Sequence, residues 1–120
     1  MTLSTHVLDA TTGRPAAGVQ VRLERGDDTG WALVCTGQTG PDGRLRLSGG
    51  PAEPGGPAAP PAVGPGVYRL TFGSGAYFRA RGTASFYPEV TIIFEMAERD
   101  EHYHVPLLLS PFAYSTYRGS

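Results

Sequence analysis

Three histidines, ten arginines and a polar C-terminal run are the side chains in this 120-residue chain best suited to act on a small molecule. His6 stands in LSTHVLD and His104 in HYHVPLLL. Free imidazole titrates near a pKa of about 6.5, so a positioned histidine can take and return a proton close to neutral pH. In an extended strand, residues two apart share a face. His6 then lies with Leu8 and Ala10, opposite Val7 and Asp9. His104 lies with His102, Pro106 and Leu108, opposite Tyr103, Val105 and Leu107. Either histidine taken alone reads equally well as a half-buried strand residue with its hydrogen bonds filled. His102 and His104, at i and i+2, have a spacing that could hold zinc. Two imidazoles are too few, however, and no Cys or carboxylate is placed to complete the set, so no metal is expected. Arg44 and Arg46 follow Asp42-Gly43. A guanidinium stays charged and its fork matches planar oxygen groups, although a solvated strand face accounts for both residues too.

Other chemistries lack their residues. No Lys is present, which removes Schiff-base and lysine-base mechanisms. No Ser sits in a nucleophile elbow, and no glycine-rich phosphate loop precedes a helix. The acidic cluster of Glu98, Asp100 and Glu101 reads as a solvated turn. The single Cys35 excludes an internal disulfide framework, and in WALVCTG it is expected to be a small buried hydrophobe.

The elements that must carry these residues have a period of two. Val19, Val21 and Leu23 alternate with Gln20, Arg22 and Glu24. Tyr68, Leu70 and Phe72 alternate with Arg69 and Thr71. Further strands are expected over Leu3–Asp9, Trp31–Gln38, Arg44–Leu47, Val90–Phe94, His104–Ser110 and Ala113–Arg118. Pro41-Asp42-Gly43 is turn chemistry. One short helix is expected around Ser74–Arg81, limited by Gly75 and Gly82. About eight short strands separated by turn signals predict an all-β, two-sheet β-sandwich with one short helix. The length predicts one domain over 1–120. Residues 49–66, almost wholly Gly, Pro and Ala, predict a flexible surface loop that cannot bury enough apolar area to order itself.

Composition bounds the partners. A formal net charge of −1 offers no basic field to recruit nucleic acid or an anionic membrane. No stretch approaches the roughly 20 apolar residues of a membrane helix, and the first residues show no basic-then-apolar leader. A reducing cytoplasm is expected.

Several runs, in order, resemble the 5-hydroxyisourate hydrolases, the enzyme branch of the transthyretin-like family. They are LSTHVLD with Thr12-Gly13-Arg14-Pro15-Ala16, then Asp42-Gly43-Arg44, then Phe86-Tyr87-Pro88-Glu89-Val90, and finally Glu101–Ser120, EHYHVPLLLSPFAYSTYRGS. The ending Tyr117-Arg118-Gly119-Ser120 is the most specific. Hormone-binding transthyretins share the Leu-Ser-Pro and Tyr-Ser-Thr elements but lack that ending and the histidines matching His6 and His104. Gly40 departs from the family, which often has Asn there, and the Gly/Pro stretch is unusually long.

The resemblance implies a transthyretin-like (prealbumin-like) sandwich assembled as a homotetramer, a dimer of dimers, with active sites at the dimer–dimer interface. It implies a catalytic set of His6, Arg44, His104 and Ser120, with Tyr117, Arg118 and Gly119 binding substrate. The implied substrate is 5-hydroxyisourate, and the implied reaction is hydrolytic ring opening without a cofactor. Such a reaction needs a base for water, which suits a histidine; His104 is the first choice, although the sequence leaves the order of the two histidines open. It needs a cation facing the developing oxyanion, which suits Arg44. The hydroxyl and α-carboxylate of Ser120 could orient water or a histidine. A non-enzymatic transthyretin-like binding protein is the alternative.

Overall fold

The computed structural model describes residues 1–49, 61–97 and 101–120. In chain order it contains β1 (Thr2–Asp9), β2 (Arg14–Pro15), β3 (Gln20–Asp27), β4 (Gly30–Gln38), β5 (Arg44–Ser48), β6 (Gly66–Phe72), α1 (Ser74–Ala80), β7 (Val90–Met96), β8 (His102–Ser110) and β9 (Ala113–Thr116). One sheet is ordered β2-β1-β8-β9, with β5 also pairing β1; the other is ordered β4-β3-β6-β7. This is the all-β sandwich with one short helix that the alternation predicts.

Alternation decides what each sheet buries. Along β1, Leu3, Thr5, Val7 and Asp9 point inward, while Ser4, His6 and Leu8 stay half-buried on the outer face. Leu107 and Leu109 of β8 meet Val21 and Leu23 of β3 and Tyr68, Leu70 and Phe72 of β6 in one core. Burying each such side chain contributes about 1.5–3 kcal/mol. Two of the buried polar side chains on these elements are paired across the core: the Thr5 hydroxyl donates to the Val105 carbonyl at 2.6 Å, and the Tyr77 hydroxyl to Asp9 at 2.8 Å.

Several strands run one or two residues beyond expectation, β8 beginning at His102 and β7 ending at Met96, and four differences have a physical reason. The two-residue β2 is too short to show a period; it forms because the Asp9 carboxylate takes the Thr11 N–H and reverses the chain. The last strand ends at Thr116, not Arg118. The residue after Thr116 would face Pro106, which has no N–H for the ladder, and the Thr116 hydroxyl bonds the Pro106 carbonyl instead. Cys35 is half-buried rather than buried, since β4 is an edge strand with mostly exposed side chains. Burial still pushes its thiol pKa up. The helix stops at Ala80, one residue short of expectation, with Arg81 as its cap and Gly82 turned to φ 66°.

The flexible-loop expectation bears mainly on 50–60, outside the described residues. Its flanks are tied down: the Gly49 N–H bonds the Pro61 carbonyl, and Tyr68 and Arg25 bond the carbonyls of Gly64 and Pro65. Glu98 and Asp100 of the acidic cluster also lie outside the described residues.

Candidate active site

Three strands converge on the outer face of the five-stranded sheet. β1 pairs β8 in parallel, which sets Thr2 beside His102, Ser4 beside His104 and His6 beside Pro106. β1 also pairs β5 antiparallel, which sets His6 opposite Arg44 and Ser4 opposite Arg46. Paired residues point to the same side of a sheet, so His6, Arg44 and His104 share one face.

Arg44 is delivered by a tight turn. The Gly43 N–H bonds the Gly40 carbonyl at 2.9 Å, and the Asp42 carboxylate accepts the Arg44 N–H at 3.0 Å. Gly43 has φ 76°, and its carbonyl accepts the Val7 N–H at 2.8 Å. A Cβ at this position would strike the Val7 carbonyl, so only glycine lets the turn lie against β1. Arg44 itself is exposed, and His6 and His104 are half-buried.

His104 is the most constrained group. Its Nδ1 lies 2.8 Å from the Ser4 hydroxyl. Its ring stacks at 6.3 Å on that of His102. Burial first, then the positive charges of His102, Arg44 and His6, hold its pKa below the ordinary histidine value. The ring is therefore disposed to be neutral, the form that can accept a proton.

The C-terminal residues separate. The Gly119 N–H bonds the His104 carbonyl at 2.8 Å, which brings the tail alongside that strand. A Cβ on Gly119 would lie 2.6 Å from the His104 ring, so the contact requires a residue without a side chain. Arg118 turns away to Glu101, at 2.9 Å, and lies 4.6 Å over the Tyr103 ring. Tyr117 is largely exposed and lines a small cavity of about 140 Å³ with His104, Ile92 and Phe94. Ser120 is exposed beyond Gly119. A wider cleft of about 470 Å³ runs along Ser4, Asp42, Arg44, Arg46 and His102. The structure thus brings together His6, Arg44, His104 and Gly119, and turns Arg118 toward an ion pair. Among the described residues, no group of three or more His, Cys, Asp or Glu is arranged to hold a metal. Sequence reasoning passes over Ser4; its i, i+2 spacing to His6 is the signal that could find it.

Both the sequence and the fold match a known family. The sequence model of the HIUase/Transthyretin family matches residues 3–119, and this chain belongs to that family. A relative named 5-hydroxyisourate hydrolase, from Salmonella dublin, is 46% identical over 118 residues, 98% of this chain and 80% of that protein. Another so named, from Mus musculus, is 41% identical over 98% of this chain and 94% of its own length. Among solved structures, that of Klebsiella pneumoniae 5-hydroxyisourate hydrolase is similar with a TM-score of 0.80 and 36% identity, covering 100% of both chains. Transthyretin from Sparus aurata has the same TM-score of 0.80 at 29% identity, covering 98% of this chain and 95% of that one.

Proposed function

We propose that this chain hydrolyses 5-hydroxyisourate to 2-oxo-4-hydroxy-4-carboxy-5-ureidoimidazoline, a step of urate breakdown. The observation that carries the reading is the convergence of His6, Arg44 and a neutral-disposed His104 on one sheet face with the tail at Gly119. The named relatives agree with it.

His104 takes a proton from water as the water oxygen adds to the ring acyl carbon. Arg44 faces the oxyanion that results. The ring C–N bond then breaks, the freed nitrogen takes the proton back from the imidazolium, and the acyl carbon becomes a carboxyl group that stays on the product. His6 shares the proton traffic from the neighbouring strand. Tyr117, Gly119 and Ser120 bound the substrate from the tail, and Arg118 contributes from its ion pair with Glu101. Water is the nucleophile, so the reaction needs no cofactor.

The assembly in this reading is a homotetramer, a dimer of dimers, with its sites where the outer sheet faces meet. A single chain leaves Arg44 and His102 exposed, and a second copy over that face would wall off water from the site. Light scattering of the purified protein tests the tetramer. The cytoplasm is the proposed location; among the described residues no helix is long and apolar enough to cross a membrane.

A non-enzymatic binding protein is the second reading, because the transthyretin structure fits this chain as closely as the hydrolase does. Ultraviolet decay of freshly generated 5-hydroxyisourate separates the two. Rapid decay with the wild type, largely lost in His104→Ala and Arg44→Ala at unchanged folding, supports the hydrolase. Decay no faster than buffer, together with ligand binding, would move the chain to the binding class.

A further inference from the structure

A histidine that acts as a base presents one nitrogen to its substrate and must have the other one held. A neutral imidazole carries a single N–H, and whichever nitrogen bears it cannot accept a proton. On this sheet the neighbour of His104 Nδ1 is the Ser4 hydroxyl, 2.8 Å away and a hundred residues distant in sequence. The parallel register places the two residues side by side. The same hydroxyl lies 3.3 Å from Nε2 of His102, whose Nδ1 bonds the Thr2 hydroxyl. Thr2, His102, Ser4 and His104 therefore form a chain of hydrogen bonds along the edge of the cleft.

We infer that Ser4 is a positioning residue that fixes the tautomer of His104, with His102 setting the direction of the Ser4 hydroxyl. The inference rests on the hydrolase reading for its kinetic consequence, though not for its geometry.

A serine hydroxyl has one proton to give and can accept from others. In one direction, His104 Nδ1–H donates to Ser4 Oγ, and the Ser4 hydroxyl donates to His102 Nε2. His102 then carries its own proton on Nδ1 and donates it to Thr2 Oγ1. Each donor meets an acceptor, and His104 Nε2 keeps its lone pair free. When Nε2 gains a proton during reaction, the Nδ1–H bond to Ser4 remains as it was, so nothing need reorient as the charge arrives. In the opposite direction Ser4 donates to His104 Nδ1, the proton sits on Nε2, and the base is blocked.

The local charges favour this division of labour. The charged and titratable groups around His104 are His6 on β1, Arg44 and Arg46 on β5, His102 and Tyr103 on β8, Glu95 on β7, and Tyr117, Arg118 with its partner Glu101, and the Ser120 carboxylate at the tail. Burial and the nearby Arg44 guanidinium favour a neutral His104, and a neutral ring is the state in which the choice of tautomer matters. His102 thus acquires a role other than the metal ligand weighed for it in the sequence.

The experiment compares wild type with Ser4→Val and Ser4→Thr, which have the same shape and differ only in the hydroxyl. Both β-branched residues suit a strand position. The expected result is a roughly tenfold lower kcat for Ser4→Val with little change in KM, the size of effect one net hydrogen bond supports. Ser4→Thr restores most of the rate. Side-chain 15N shifts of His104 report an Nδ1–H imidazole in wild type and Ser4→Thr, and a mixture of tautomers in Ser4→Val. Full activity in Ser4→Val would overturn the inference, as would equal losses in both variants with unchanged 15N shifts. If the wild type fails to hydrolyse 5-hydroxyisourate while the 15N shifts still respond to Ser4, the functional reading falls and the positioning of His104 by Ser4 stands.

Discussion

The two sheets present outer faces of opposite character. On the five-stranded sheet, the outward positions of β1, β5 and β8 carry Ser4, His6, Arg44, Arg46, His102 and His104. On the four-stranded sheet, outward Glu24 binds Arg22 and Arg69, Arg69 covers Trp31, and Leu33 and Ile93 stand 62% and 61% exposed. Both faces hold charges and ring contacts. The second holds Arg22 and Arg69 on one carboxylate, Glu24; the first gathers three imidazoles beside Arg44, with Asp42 engaged in its own turn and Glu101 paired with Arg118. A cation already neutralised by a carboxylate has little field left for a substrate, whereas burial beside a guanidinium keeps an imidazole neutral and able to accept a proton. The comparison predicts that chemistry falls on the first sheet.

The largest effect that would sharpen this contrast is loss of an imidazole. His6→Ala should lower the rate roughly 100- to 10,000-fold, with the thermal midpoint nearly unchanged, because the side chain is half-buried and outside the core. Steady-state kinetics beside a melting curve checks both halves; a stable variant at wild-type rate would remove His6 from the site.

Next is Gly119→Ala. Its new methyl would lie against the His104 ring, and relieving such a clash costs about 1–3 kcal/mol. The tail can yield while the sandwich stays folded, so the cost should appear as lost activity at an almost constant melting temperature.

The pH dependence follows with a smaller change. The base form of His104 is the neutral one, and its pKa lies below the ordinary value of about 6.5, so activity should rise with pH through a midpoint on the acid side of that value. Once protonated, His102 opposes a second charge on His104; His102→Ala removes that opposition and makes the His104 imidazolium easier to form. The acid limb should move to higher pH; a pH–rate profile that moves the other way would contradict the charge assignment.

The smallest effect belongs to the other sheet. Burial alone would raise the Glu24 pKa, but hydrogen bonds and charge from Arg69 and Arg22 together lower it. Glu24→Gln should cost about 0.2–1 kcal/mol in denaturant unfolding and leave hydrolysis untouched. A large loss of activity would break the division between the two faces.

The amino-acid sequence by itself determined the period-two strands, the inward and outward assignment within each, and the turn before Arg44. These are local: they depend on alternation and on the backbone demands of Pro and Gly. It also carried the family resemblance, in runs such as LSTHVLD and YRGS. Pairing was not legible. Nothing within ten residues of Ser4 says that it will touch His104; that follows from β1 lying parallel to β8 at one register, across a hundred residues of chain. The same holds for His6 opposite Arg44, for the tail resting on His104 through Gly119, and for Arg118 drawn aside to Glu101. A one-residue slip of β1 would turn His6 and Ser4 into the core, and the inward Leu3 and Val7 forbid it. The apolar halves of the strands thus fix the register, and the register decides which polar halves meet.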